Sequence, residues 1–586
     1  MRKGIPVSPG VSTGTAYCIH QIFVNPDTKR LEDSEVTAEL AAYETARDQT
    51  AVDLNALRSK VESQVGGPEA AIFAVHLSIL RDAAFTEKVR TWIVKDRLTA
   101  QAALHRLLNE YSALFSRTQD PYLRERLNDV QDVVIRLSAH LSDVPKQNTS
   151  LPGSLIVVAG ELLPSQVVAL GGADVHGIVT EAGSQTSHAA IIARSRGIPA
   201  VSGVSGILRQ VKTGDAIIVD GRYGHVIINP DPEQLAAYRK IERDFINLKD
   251  QLAANRDQPA RTEDGQPLQL LANINNAADA EAAVNMGATG VGLFRTEYLY
   301  LTHPDVPDED EQLKAYCEII DASPRKQVTI RSLDIGGDKT VPYLGHTHQE
   351  ANPFLGWRSI RLSFEHPEFF NTQLRAVFRA AKYAAENGGK VKLMFPMITT
   401  LEELHRVRAI VRRVCQRLEE EKKPFLKPPI GMMVEVPAAA ISIGDMLHAV
   451  DFVSIGSNDL VQYLMAADRD NPKVSHLCQP LAPPVLRILS QVIRACKRAR
   501  KPVTLCGEMA GQPRAFTLLL GMGLRNFSMS PALIPTIKEL ATHVSMEMAE
   551  KVTRQALTLR TTANVKRFMS EQLEAMAPGL AILETQ

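Results

Sequence analysis

His188 has the setting of a residue that carries a reactive group. It lies in the run Glu181-Ala-Gly-Ser-Gln-Thr-Ser-His-Ala-Ala-Ile-Ile-Ala-Arg194. Ser184, Thr186 and Ser187 are helix N-cap candidates, and Ala189 to Ala193 read as the helix they start. An imidazole there sits beside unpaired backbone N–H groups and the positive end of the helix dipole, which favours a phosphoryl group held on the ring. The alternative is a capped helix with an incidental histidine. A second constellation occupies the C-terminal half. Arg295, Arg331 and Arg469 are planar forks suited to phosphate and carboxylate oxygens. Glu435 and Asp459 form a carboxylate pair suited to Mg²⁺, a hard ion that takes a few carboxylates plus substrate oxygens. Cys506, followed by Gly507-Glu508, is either a thiol placed for proton transfer or a small buried hydrophobe. Any one of these could be a rim salt bridge or a packing residue; their joint placement fits a small, multiply anionic substrate.

The elements that must hold these groups are legible in the spacing. From Leu268 onward, apolar strand-like runs alternate with helical patterns: Leu268–Asn273, Gly290–Arg295, Val328–Arg331, Lys392–Pro396, Ile430–Glu435, Phe452–Gly456, Pro502–Cys506 and Asn526–Ser530. Eight such units in about 280 residues predict a (β/α)₈ barrel, a TIM barrel, whose working residues belong at the C-terminal ends of strands. The second, third, fifth and seventh runs end at or beside Arg295, Arg331 with Asp334, Glu435 and Cys506; the sixth leads into Asn458, Asp459 and then Arg469. Upstream, residues 1–22 read as strand and turn, and residues 34–141 as helix. Asp120-Pro121 starts the clearest helix, with Leu123, Leu127, Val130, Val134, Leu137 and Leu141 on one face. Short strands return at Ser154–Val158, Gly177–Thr180, Ala216–Val219 and His225–Ile228. A helical block between two strand-rich pieces predicts an insertion into one α/β domain. Residues 233–255 then form a helix, with Leu235, Tyr238, Ile241, Phe245, Leu248 and Leu252 on one stripe, spanning about 35 Å.

Two sets of motifs resemble a known family. Thr186-Ser187-His188, Ala193-Arg194 and Gly197-Ile-Pro-Ala-Val201 resemble the phosphohistidine segment of the phosphoenolpyruvate-utilising enzymes. Gly336-Gly-Asp-Lys339, Asn352-Pro-Phe-Leu-Gly-Trp-Arg358, Phe395-Pro-Met397, the Glu435 and Asn458-Asp459 segments and Cys506-Gly-Glu508 resemble the phosphoenolpyruvate–protein phosphotransferases, enzyme I of the bacterial sugar phosphotransferase system, over nearly the whole chain. The resemblance implies that His188 accepts the phosphoryl group and that Glu435 and Asp459 bind Mg²⁺. It implies that Arg295, Arg331, Asn458, Asp459 and Arg469 hold phosphoenolpyruvate, that Arg358 supports the site, and that Cys506 protonates the enolate to pyruvate. Its modules would be a swivelling phosphohistidine domain (1–22 and 146–230), an inserted helical domain that receives the carrier protein HPr (30–145), a linker helix (231–260) and a phosphoenolpyruvate-binding, dimerising barrel (261–575). The phosphoryl group would pass from His188 to a histidine of HPr, the first step of a sugar-import relay.

Two departures from the family pattern stand out. Gly183-Ser184-Gln185 replaces a triplet that usually carries arginine, so Gln185 lacks that charge. The stretch around His76 keeps only Glu69, Asp82 and Glu87 where acidic residues usually face a basic carrier. Its face with Ile72, His76 and Ile79 or Leu80 is either core or a docking surface.

Composition narrows the alternatives. With 66 basic and 66 acidic residues the formal charge is zero, so no global field draws nucleic acid or an anionic membrane. The N-terminus has no apolar signal core and no run suits a membrane span, and six scattered cysteines without CxxC spacing fit a reduced cytoplasmic protein. A dikinase or synthase would need a nucleotide-binding module, and no glycine-rich nucleotide loop is present. A nitrogen-branch regulatory phosphotransferase would be expected to carry an extra N-terminal sensory domain. A non-catalytic phosphorylation-state scaffold predicts loss of one of His188, Glu435, Asp459 or Cys506, and all four are present.

Overall fold

The computed structural model describes residues 1–8, 10–19, 30–64, 67–115, 121–141, 154–160, 162, 175–182, 193, 198–302, 305–336, 350, 352–469, 471 and 473–581. The chain divides into two compact units, Met1–Ile246 and Asn247–Ala581.

The first unit is built on an eight-stranded sheet. Its strands are β1 (Arg2–Lys3), β2 (Ile5–Ser8), β3 (Val11–Ile19), β4 (Leu155–Ala159), β5 (Val175–Thr180), β6 (Ala200–Ser202), β7 (Ala216–Asp220) and β8 (His225–Ile228), in the order β1-β8-β7-β3-β4-β5-β6-β2. The run β3-β4-β5-β6 is parallel, and the remaining pairs are antiparallel. Alternation along the strands feeds two faces. Ile156 and Val158 pack with Val179, Val201 and Val219 on one side, while Val157 and Ala159 pack with Ile178 on the other. β6 was not foreseen in the sequence; the other strands lie where the spacing put them.

Between β3 and β4 the described residues form five helices: α1 (Val36–Gln64), α2 (Gly67–Arg81), α3 (Ala83–Lys95), α4 (Ala100–Phe115) and α5 (Pro121–Leu141). Their shared core includes Tyr43, Leu54, Phe73, Leu80 and, from the stripe read on α5, Val130, Val134 and Leu137. His76 is fully buried on α2, with Nε2 3.3 Å from Asp129 Oδ1 and Nδ1 3.9 Å from Asp132 Oδ2, both on α5. Of the two readings of that helix face, His76 and Leu80 take the core. The helix α6 (Pro232–Ala254) follows β8. Its residues Leu235, Tyr238 and Ile241 pack on Val11, Ile218 and Ile227, and Glu242 accepts from Thr13 Oγ1 at 2.7 Å. The division between the two units falls inside α6.

The second unit is a closed barrel of eight parallel strands: β9 (Gln269–Ile274), β10 (Val291–Arg295), β11 (Gln327–Arg331), β12 (Lys390–Phe395), β13 (Ile430–Val434), β14 (Phe452–Ile455), β15 (Val503–Leu505) and β16 (Asn526–Met529), with β16 closing on β9. Each lies within two residues of a run read from the sequence. Leu293, Met394, Met433, Phe452 and Cys506 pack together inside the barrel. Among the described residues no helix is long and apolar enough to cross a membrane.

Candidate active site at the C-terminal end of the barrel

Parallel strands deliver their C-terminal residues to one rim, and the candidate residues gather there. Arg295 is the last residue of β10 and Arg331 of β11; Glu435 follows β13 and Cys506 follows β15. Asn458 and Asp459 start the helix Ser457–Met465 after β14, and Arg469 lies just beyond it. All seven, with Arg358, line one cavity of about 270 Å³. Its wall is completed by Leu293, Glu297, Asp334, Met433, Gly456, Gly507 and Glu508.

Buried ion pairs hold the guanidinium groups in place. Arg331 Nη2 donates to Glu297 Oε1 at 2.6 Å and Nη1 lies 3.0 Å from Asp334 Oδ2. Arg358 Nη2 contacts both Asp334 oxygens at 3.0 and 3.2 Å and Asp459 Oδ2 at 3.4 Å, while its Nη1 reaches the Tyr463 hydroxyl at 3.3 Å. Burial alone would lower both arginine pKa values, but the surrounding carboxylates outweigh it and raise them. These guanidinium groups stay charged. Arg469 Nη1 lies 3.3 Å from Asp459 Oδ1, and Asn458 exchanges hydrogen bonds with Glu508, accepting from its N–H at 2.9 Å and donating to Oε1 at 3.3 Å.

Arg358 reaches the rim through a tight backbone crossing. Gly336 forms an isolated antiparallel bridge with Arg358 and has φ of 107°. A Cβ at Gly336 would stand 2.4 Å from the Trp357 carbonyl oxygen and 2.6 Å from Arg358 Cα, so only glycine admits the bridge. Sequence spacing could not place Arg358, which lies outside any barrel strand.

Among the described residues four arginines in the cavity wall face five acidic side chains: Glu297, Asp334, Glu435, Asp459 and Glu508. Glu435 is fully buried and its Oε1 accepts from Met397 N–H at 2.6 Å. Burial, then Asp459 and Asp334, push its carboxyl well above the ordinary carboxylate range, against the pull of Arg331 and Arg358. A carboxyl raised in this way gives up its proton readily only when a positive charge arrives beside it. Two carboxylates open to a cavity suit Mg²⁺, which keeps waters and substrate oxygens in its shell. The donor set therefore fits a magnesium ion held in part by its substrate.

Cys506 stands where the apolar barrel interior meets the polar cavity. It belongs to the interior cluster and lines the cavity at once, so the two readings of this residue coincide in place. Burial pushes its thiol up to about 11, with Glu435 adding to the rise and Ser454, Arg331 and Arg295 opposing it. The sulfur is thus a protonated thiol at neutral pH, the state a proton donor requires.

His188 and the whole of residues 183–192 lie outside the described residues. The chain enters that run from the C-terminal end of β5, where Glu181 N–H donates to the Ala159 carbonyl and Glu181 Oε1 accepts from Leu208 N–H, both at 3.0 Å. Glu297, Ser454 and Tyr463 were not singled out from sequence. Glu297 lies two residues beyond Arg295, and an acid at that distance from a strand-end arginine is the signal that could have found it. Tyr463 offered none.

Three family models match the chain: PEP-utilising enzyme, PEP-binding domain, over residues 249–546; PEP-utilising enzyme, N-terminal, over 3–126; and PEP-utilising enzyme, mobile domain, over 151–224. The chain is similar to the phosphoenolpyruvate-protein phosphotransferase of Staphylococcus carnosus, with 38% identity over 97% of this chain and 98% of that protein. The namesakes from Haemophilus influenzae (37% identity, 98% and 99% covered) and Geobacillus stearothermophilus (40%, 97% and 97%) match over similar lengths.

Proposed function

The chain belongs to the PEP-utilising enzymes, as one of the phosphoenolpyruvate–protein phosphotransferases, and from that premise we propose which residues carry the reaction and where the phosphoryl group goes. His188 accepts the phosphoryl group from phosphoenolpyruvate and passes it to an HPr-like carrier, opening a sugar-import relay in the cytoplasm. Residues 1–22 and 146–230 carry His188, residues 30–145 receive the carrier, residues 231–260 link, and the barrel within 261–575 binds phosphoenolpyruvate and pairs two copies of the chain.

The observation that supports this reading is the single cavity lined by all eight barrel residues picked from the sequence. Arg295, Arg331 and Arg469 bind the phosphate and carboxylate oxygens, and Asn458 and Asp459 border the same anion. Arg358 keeps Asp334 and Asp459 apart from each other's charge by lying between them. Glu435 and Asp459 would hold Mg²⁺, which supplies charge neutralisation for the phosphoryl oxygens. Neutral His188 attacks phosphorus in line, and loss of the phosphoryl group leaves the enolate of pyruvate. Cys506 gives its proton to the enolate carbon, so the product leaves as pyruvate.

Incubation with ³²P-labelled phosphoenolpyruvate and Mg²⁺ should give an acid-labile, base-stable phosphoenzyme, and label should move to an HPr-like protein when one is added. His188→Ala should abolish labelling with its circular dichroism unchanged; persistent label in that variant sinks the assignment.

A further inference from the structure

Below the cavity floor the thiol of Cys506 has a partner that no step above uses. Ser454, on the inner face of β14, is buried, and its Oγ–H donates to Cys506 Sγ at 3.1 Å. The thiol's own S–H is directed to the Ile455 carbonyl oxygen, a long contact of 3.5 Å. The backbone of Cys506 is fixed separately. Its N–H donates to the same Ile455 carbonyl at 3.0 Å, and its carbonyl accepts from Asn273 Nδ2 at 2.9 Å. Asn273 is held in turn by Ser528, whose Oγ–H donates to Asn273 Oδ1 at 2.6 Å. Removing the Ser454 hydroxyl would therefore release the sulfur and leave the main chain where it is.

We propose that Ser454 is a positioning residue for the protonation step, holding the Cys506 sulfur toward the cavity and stabilising the thiolate that proton donation leaves behind. The proposal rests on Cys506 being the donor. In that step the S–H bond breaks and a C–H bond forms from the electron pair of the enolate double bond. The enolate oxygen becomes the ketone oxygen, the S–H pair stays on sulfur, and solvent later returns a proton to the thiolate. A hydroxyl already donating to sulfur gains strength as the sulfur becomes negative, because a charge-assisted hydrogen bond is about twice as strong as a neutral one. The S–H needs to give up only its long contact with Ile455 to turn toward substrate. Ser454 thus favours the end of the step over its beginning, and an interaction that grows along the reaction raises kcat and leaves binding alone. The bland alternative is a serine that fills space in the barrel interior.

The test is a double-mutant cycle on the full-length enzyme with saturating Mg²⁺ and carrier, reading pyruvate formation through lactate dehydrogenase. Ser454→Ala should lower kcat about ten- to a hundred-fold, the range of a hydrogen bond to a charged group, with KM for phosphoenolpyruvate within about twofold of wild type. In a Cys506→Ala background the same substitution should change nothing further, since there is no sulfur left to hold. If Ser454→Ala costs the same factor with and without the thiol, or raises KM and spares kcat, Ser454 is packing and the proposal is overturned. If Cys506→Ala alone turns over normally, the donor reading fails, and this one with it.

Discussion

Gly507→Ala tests whether the seam between β14 and β15 sets catalytic geometry. Gly507 has φ of −78° and ψ of 171°, an extended conformation alanine adopts freely, so the cost of the change is steric. A Cβ there would stand 1.8 Å from Ser457 Oγ, 2.8 Å from Ser457 N and 2.9 Å from Ser457 Cβ. The hydroxyl can rotate away, because Ser457 Oγ has no hydrogen-bond partner among the described residues. The backbone nitrogen and Cβ cannot, and restoring ordinary contact requires the two segments to part by about 0.5 Å. Cys506 lies on one side of that seam, with Asn458 and Asp459 on the other, and the Asn458–Glu508 hydrogen bonds cross it. A misplacement of about 1 Å at a reacting centre costs roughly a hundredfold, so half of it should cost about tenfold in kcat. The strain should also lower stability by about 1–3 kcal/mol. The assay is pyruvate formation coupled to lactate dehydrogenase, with a thermal melt of the same preparation. Gly444→Ala is the control: a Cβ at that helical glycine meets nothing within 4 Å, so kcat should not move. A Gly507→Ala enzyme with kcat within about twofold of wild type would show that the seam opens without displacing the donor from the anion site, and the reasoning would be wrong.

Two further outcomes are expected. Because the Cys506 thiol must be protonated to act and burial raises it to about 11, its ionisation should not limit kcat on the alkaline side until well above pH 9. A falling limb near pH 9 in the kcat profile that Cys506→Ser removes would show a thiol of ordinary acidity and refute the burial account. For the carrier, the stretch around His76 offers only Glu69, Asp82 and Glu87 as nearby acids, so steering by opposite charge should be weak. The second-order phosphotransfer rate should change little between about 0.05 and 0.5 M salt, and a steep fall would place the steering on acids elsewhere in residues 30–145.

What the sequence could disclose follows from the range of the interactions involved. Barrel strands were legible because each is a short apolar run bounded by breakers, and the rim residues because a parallel strand puts its last residue at a known end. β6 was not. Ala200–Ser202 sits in Gly197-Ile-Pro-Ala-Val-Ser-Gly203, which reads as loop, and it becomes a strand through pairing with β2 and β5. His76 shows the same limit on a helix. Periodicity gave its face but not what the face meets, because Asp129 lies 53 residues away. Arg358 and Tyr463 are 105 residues apart and Cys506 and Ser454 are 52 apart, so neither pair leaves a local trace.

The pairs that sequence could not reveal are also those that keep the site from binding itself shut. Each buried arginine is shared between carboxylates: Arg331 between Glu297 and Asp334, Arg358 between Asp334 and Asp459. A guanidinium group divided in this way keeps its position and its charge but neutralises neither partner fully. Of the five carboxyls that line the wall among the described residues, Glu435 is held toward its protonated form by burial and by Asp459 and Asp334, which leaves four arginines facing four carboxylates. A cation arriving beside Glu435 would favour loss of that proton, while Arg295 and Arg469, which have fewer buried partners among the described residues, remain available to an anion. A wall with a surplus of fixed positive charge would hold a polyanion in the ground state without any cation. Binding that does not grow toward the transition state lowers KM and leaves kcat where it was. The raised Glu435 carboxyl is therefore the group through which the arrival of a cation would be tied to the capture of an anion.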